Sequence, residues 1–226
     1  MLTWGDGSYD DFGHGNTLNK YTPRKIPGIS NAVSISAGTG FSAAIKDDGT
    51  VWTWGNNDRG QLGRTDTSTK TPGQVTGLSE ISKIACGENF IIALMDYDTI
   101  YSWGANTCGQ LGDGTKADRI TPAAVISSYS DISADREHVL AISGGKLYAW
   151  GQNSVGQLGL NDKIDRTTPT LVSSINGNVN SIRTGYNHSI AILSDGTLYT
   201  WGEERDGQLG NGFYLTKRIP TKVCLL

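Results

Sequence analysis

Residues 147–159 read Leu147-Tyr148-Ala149-Trp150-Gly151-Gln152-Asn153-Ser154-Val155-Gly156-Gln157-Leu158-Gly159. Two signatures sit in this stretch. The first is an aromatic pair two residues apart that ends in Trp150-Gly151, and the second is Gly-Gln-Leu-Gly, six residues after the tryptophan. Residues two apart share one face of a strand, so the first signature is that of a half-buried strand. It recurs as Val51-Trp52-Thr53-Trp54, Ile100-Tyr101-Ser102-Trp103 and Leu198-Tyr199-Thr200-Trp201. Trp-Gly itself stands at Trp4, Trp54, Trp103, Trp150 and Trp201, with spacings of 50, 49, 47 and 51. Gly-Gln-Leu-Gly follows the last four tryptophans, and the first copy is degenerate at Asp10-Asp11-Phe12-Gly13.

A third column confirms the period. Pro23, Pro72, Pro122, Pro169 and Pro220 each begin Pro-x-x-Val or Pro-x-x-Ile, which suits the start or outer edge of a strand. Between the columns lie two further apolar segments per unit. One is near Ile35, Ile84, Ile132 and Ile182. The other opens at Phe41, Phe90, His138 and His188, and a turn at Asp48-Gly49, Tyr97-Asp98, Gly144-Gly145 or Asp195-Gly196 follows it. Asp-Gly and Gly-Gly suit a two-residue hairpin, because that turn needs positive φ angles. No stretch shows helical periodicity. Four antiparallel strands per repeat of about 50 residues predict an all-β propeller or a related array.

Together these columns resemble the regulator of chromosome condensation repeat over essentially the whole chain. The resemblance implies a β-propeller of four-stranded blades. Members of that family include a guanine nucleotide exchange factor for a small GTPase, a plant ultraviolet-B photoreceptor, and interaction modules in ubiquitin ligases, bacterial effectors and viral proteins. The tryptophans here give no reason to expect a photoreceptor: five of the six are the repeat's own column, and Trp52 replaces Tyr101, Tyr148 and Tyr199.

The strand count is two in residues 1–30 and four in each of units 31–79, 80–130, 131–177 and 178–226, or about four and a half blades in one domain, 1–226. The first unit lacks its first two strands and the C-terminus carries no spare copies. The expectation is a piece of a longer array, completion by another chain or a second copy, or an open arc that covers its edges. Unpaired edges favour self-association.

Composition narrows the function. The 30 glycines among 226 residues are roughly twice the usual ~7% share, and the repeat columns account for many of them. A net charge of -3 argues against a general nucleic-acid or membrane-surface binder. The longest apolar run, Phe90 to Met95, is far short of the ~20 residues of a spanning helix. The sequence has no Gly-x-Ser-x-Gly and no Gly-Lys-Ser/Thr phosphate loop. His138 and His188 exchange with phenylalanine in their column and so read as packing residues. Cys86, Cys108 and Cys224 are too scattered for a metal site or a disulfide framework. No catalytic, metal or cofactor residues are assigned, and no cofactor is expected.

Two features are candidates for partner binding. A cation stands 16 residues after each tryptophan: Lys20, Lys70, Arg119, Arg166 and Lys217. In a repeat array these charges form a cationic arc for an acidic partner, or a structural contact repeated in each blade. The last variable loop carries Phe213, Tyr214 and Leu215, the most apolar of its kind, which reads equally as a contact patch or as packing on the final strand. The expected function is a non-enzymatic protein-interaction or structural module. The alternatives are an exchange factor for a small GTPase, and a multi-copy decoration or attachment protein of a viral or bacterial particle. The expected partner is a protein, with self-association through the open edges as a second route, and neither nucleic acid nor membrane. The expected location is cytoplasmic or otherwise intracellular, or in a virion.

Overall fold

A computed structural model describes residues 1–226 except 6, 8–11, 67, 97, 127, 213 and 224–226. The described residues form eighteen strands and no helix, so no helix among them is long and apolar enough to cross a membrane. β1 (Leu2–Gly5) and β2 (Lys20–Lys25) make a two-stranded sheet. Four antiparallel meanders follow. The first is β3 (Ala32–Gly38), β4 (Phe41–Lys46), β5 (Val51–Gly55) and β6 (Gly73–Gln74). The second is β7 (Ile81–Cys86), β8 (Phe90–Met95), β9 (Ile100–Gly104) and β10 (Arg119–Ile126). The third is β11 (Asp131–Asp135), β12 (His138–Ser143), β13 (Lys146–Gly151) and β14 (Arg166–Leu171). The fourth is β15 (Val179–Thr184), β16 (His188–Leu193), β17 (Leu198–Gly202) and β18 (Lys217–Lys222).

The sheets stack in chain order through their first strands, β3 on β7, β7 on β11 and β11 on β15. The core lies between sheets, and each apolar cluster draws on two neighbours. Phe41, Ile45, Val51 and Leu62 of one sheet meet Ile84, Ile91 and Trp103 of the next. Trp54, Trp103, Trp150 and Trp201 are fully buried there. The last three indoles also satisfy their polar edges: Nε1 of Trp103 donates to the Gln61 carbonyl at 3.0 Å, that of Trp150 to Gln110 at 3.0 Å, and that of Trp201 to Gln157 at 2.8 Å. The last glycine of Gly-Gln-Leu-Gly makes this approach feasible. At Gly63 φ is +68°, and a Cβ would fall 2.5 Å from the Trp103 Nε1.

Two sequence readings change. In four of the five units the fourth strand begins at the cation column, not at the proline: Lys20, Arg119, Arg166 and Lys217 pair with Gly5, Gly104, Gly151 and Gly202, while β6 starts at Gly73, directly after Pro72. The register slips before the proline resumes the edge, because proline has no N–H to give to the ladder. Of the turns read from Asp-Gly and Gly-Gly, Gly144-Gly145 is the two-residue hairpin, with Ser143 opposite Lys146. The Asp48-Gly49 and Asp195-Gly196 turns take three residues. The Gly49 and Gly196 amides donate back to Lys46 and Leu193, and each glycine has positive φ after its aspartate. Tyr97, Asp10 and Asp11 lie outside the described residues.

The stack does not close on itself, and both ends show it. Trp4, in the column whose other members are fully buried, is 58% exposed. At the opposite end Ile192 is 39% exposed, while its counterpart Ile142 in the preceding sheet is 4% exposed.

Candidate interaction surface

The loops between Gly-Gln-Leu-Gly and the fourth strand are built on a repeated bracket. The residue three after the tryptophan caps the turn: Oδ1 of Asn57, Asn106 and Asn153 accepts from the amides of Leu62, Leu111 and Leu158. The same asparagines reach into the loop beyond. Asn106 Nδ2 donates to Asp113 and to the Thr115 carbonyl, and Asn153 Nδ2 donates to Asp162 and to the Ile164 carbonyl. The arginine of the cation column closes the bracket, with Arg119 on Asp113 at 2.7 Å and Arg166 on Asp162 at 2.6 Å. Burial pushes both carboxyls up. At Asp113 the Thr115 and Asn106 hydrogen bonds and the Arg119 charge outweigh it, and at Asp162 Arg166, Ile164 and Asn153 do so. Both carboxyls therefore titrate below the ordinary carboxylate range.

The cation column is thus drawn into its own loops at Arg119 and Arg166. Lys20 donates to Asn16 Oδ1 at 2.9 Å, and Lys70 and Lys217 also have partners. Two charge pairs that the sequence reading missed tie neighbouring sheets together. Arg59 is bidentate on Asp118 at 2.6 and 2.9 Å, and Lys116 lies 3.6 Å from Asp165. Their signal was present as columns: Lys116, Lys163 and Tyr214 stand 13 residues after their tryptophans, and Asp118, Asp165 and Thr216 stand 15 after.

Tyr214 thus occupies the place from which Lys116 reaches the next sheet. Among the described residues no further sheet packs beside it, and Tyr214 is 82% exposed, with Leu215 beside it exposed as well. Phe213 lies outside the described residues. Tyr214 rims a cavity of about 300 Å³ with Glu204, Gly207, Asn211 and Gly212. Glu204 replaces the capping asparagine, and its carboxylate takes the Gly207 and Leu209 amides at 2.6 and 2.8 Å.

The remaining chemical groups serve the frame. His138 is fully buried with Nε2 3.0 Å from Ser189 Oγ, and Ser189 donates on to the Gln157 carbonyl, so the histidine links two sheets. Burial, with His188 nearby, drives the His138 pKa down to about 3. Burial pushes the Cys86 thiol up to about 12. Burial and the charges of Glu137 and Asp165 push Cys108 up to about 11, the opposite of an activated thiolate. No cluster of metal-ligating side chains occurs among the described residues.

Helix-free, four-stranded meanders stacked in chain order around buried tryptophans define an incomplete β-propeller. The family model of the RCC1-like domain matches residues 1–226, and the chain belongs to that family. It is 33% identical over 234 residues to the ultraviolet-B receptor UVR8 of Arabidopsis thaliana, which covers 99% of this chain and 53% of the receptor. It is 31% identical to the E3 ubiquitin-protein ligase HERC2 of Homo sapiens over all of this chain but only 4% of the ligase. The crystal structure of Prp20p from Saccharomyces cerevisiae, described with its binding to Gsp1p and histones, superposes with a TM-score of 0.86 at 25% identity. The match covers 99% of this chain and 59% of Prp20p. Human WBSCR16 shares the fold, with a TM-score of 0.88 at 20% identity. The chain spans about half the length of the receptor.

Proposed function

We propose that the chain acts as a single non-enzymatic domain that binds a protein partner through loops held on a rigid β-array. The observation that supports this most directly is the division of labour among its side chains. Asn106, Asn153, His138 and the arginines of the column are occupied inside the frame. Tyr214 and Leu215, by contrast, stand out on a loop whose base is pinned by Glu204. Large aromatic side chains at an exposed, pre-ordered position are the usual anchors of protein interfaces. The cation column is a second candidate contact, through whatever charge its loop brackets leave facing outward.

A second reading is exchange activity on a small GTPase. It rests on the likeness to Prp20p, whose described partners include Gsp1p. One experiment separates the two readings. Release of a fluorescent guanine nucleotide from a panel of small GTPases is measured with and without the chain, alongside equilibrium binding to the same panel. Accelerated release establishes exchange activity. Saturable binding without acceleration, reduced at least tenfold by Tyr214→Ala, establishes the interaction module. Binding to the panel that Tyr214→Ala leaves unchanged removes the proposed patch.

A further inference from the structure

The sequence contains Asn-Gly twice, at Asn176-Gly177 and at Asn211-Gly212. Glycine has no Cβ to shield its own amide, so the amide that follows such an asparagine is open to its side-chain carbonyl. The two copies stand in different surroundings. Asn211 is half-buried and has a partner. Asn176 is exposed, on the rim of a cavity of about 430 Å³ shared with Lys146, Leu171 and Ile175. Neither the Asn176 side chain nor the Gly177 amide takes part in a hydrogen bond among the described residues.

The Asn176-Gly177 pair also lengthens the connection from β14 to β15. The end of that connection is docked on two hairpin turns: the Asn178 carbonyl accepts the Ser194 amide and the Val179 amide donates to the Gly145 carbonyl, both at 2.8 Å. Glu80 and Ile81 make the same two bonds, with Asp96 and Gly49, at 3.1 and 3.2 Å. Leu78 and Ile175 are counterparts, each three residues after a buried valine, Val75 or Val172. Ser79 alone separates Leu78 from Glu80, whereas both Asn176 and Gly177 separate Ile175 from Asn178. The positive φ that Glu80 takes in the shorter connection, +56°, passes to Gly177, at +130°. Gly177 is tightly packed there, since a Cβ would fall 2.9 Å from Cδ1 of the buried Leu193.

We propose that Asn176 is a modification site, at which the folded chain converts its own asparagine to isoaspartate and thereby weakens the joint between the third and fourth meanders. The Gly177 nitrogen attacks Asn176 Cγ. The new N–Cγ bond closes a cyclic imide, the Cγ–Nδ2 bond breaks, and Nδ2 leaves as ammonia with the proton lost from the Gly177 nitrogen. Water then opens the imide. Addition at Cγ breaks the new bond and leaves an aspartate. Addition at the main-chain carbonyl carbon of residue 176 breaks the original peptide bond instead, and the main chain then runs through Cβ and Cγ. Both products gain a carboxylate, but only isoaspartate adds an atom to the main chain. That atom enters directly before the Gly177–Leu193 contact and the two docking bonds at Asn178 and Val179.

The test holds the folded 226-residue chain at mildly alkaline pH and follows intact mass, with peptide mapping that separates aspartate from isoaspartate. Replacement of ammonia by water at residue 176 is expected at least tenfold faster than at residue 211. In urea, where both asparagines are exposed, the two rates converge. The purified isoaspartyl form melts below the parent, while Asn176→Asp, with an unaltered main chain, melts with it. Asn176→Ser keeps the fold by circular dichroism and abolishes the mass change at this position. An Asn176 that stays intact in a chain shown to be folded overturns the inference. Equal rates at residues 176 and 211 in the folded chain, or an isoaspartyl form that melts with the parent, overturn it as well.

Discussion

The indole of Trp103 reaches out of its own sheet to the carbonyl of Gln61, 3.0 Å away and 42 residues earlier in the chain. Trp150 and Trp201 repeat the contact with Gln110 and Gln157, so every pair of complete neighbouring sheets is joined by the same bond. Removing the donor leaves a buried carbonyl unsatisfied, which costs about 1–3 kcal/mol beyond the lost packing. Trp103→Phe is expected to lower stability by that amount or more in urea unfolding. Trp4→Phe, at an exposed member of the same column, stays within about 0.5 kcal/mol of the parent.

Gly63 and Gly77 separate two roles of glycine. Both have positive φ, but a Cβ at Gly63 meets the Trp103 ring at 2.5 Å while one at Gly77 meets nothing within 4 Å. Gly77→Ala therefore carries only the left-handed backbone penalty of about 1–2 kcal/mol. Gly63→Ala adds displacement of the indole and loss of its hydrogen bond. The expected order of melting temperatures is parent, then Gly77→Ala, then Gly63→Ala, and equal losses would remove the close-approach argument.

His138 predicts an acid dependence. Its pKa is depressed in the folded chain, from about 6.5 to about 3, so the unfolded chain takes up the proton first. The associated stability is complete above about pH 6.5 and is lost as pH falls from there toward 3. His138→Phe, the residue of this column at Phe41 and Phe90, should flatten the stability profile across that window. The lowered carboxyls of Asp113, Asp118 and Asp162 act in the same direction but below the ordinary carboxylate value of 3.8. That separates their effect from the histidine's.

Charge reversal in the cation column tests its two roles. Arg119→Glu sets a carboxylate against Asp113 inside a partly buried bracket, and a loss of about 1–2 kcal/mol is expected, between the values for exposed and buried pairs. Lys70→Glu is the companion. Lowered melting temperature with unchanged partner affinity assigns the column to structure. Lost affinity at unchanged melting temperature assigns it to binding.

Trp-Gly, Gly-Gln-Leu-Gly and the prolines were enough to read four-stranded repeats, because each column answers one local demand: a buried indole, a left-handed turn, an edge without a donor. The eighteen strands follow from those columns. The start of the fourth strand was less legible. Arg119 looks like any surface cation until its pairing with Gly104 is seen. The loop brackets were hidden for a related reason. Asn106 and Asp113 are ordinary loop residues singly, and only their approach across the turn shows that they hold it. The Arg59–Asp118 pair spans 59 residues, and only its aspartate stood in an aligned column, with Asp165. The exposure of Ile35 is not signalled by its own context, which matches that of Ile84 and Ile182, and follows only from the two-strand count of the unit before it.

The bond from each tryptophan runs only to the unit before it, so cooperativity here is a nearest-neighbour affair. A unit in the middle is clamped twice and one at an end once. Denaturation of such an array is a fraying problem. Amide protection should be deepest in β8 and β12, shallowest in β1 and β18, and should grade between them instead of vanishing in one global event.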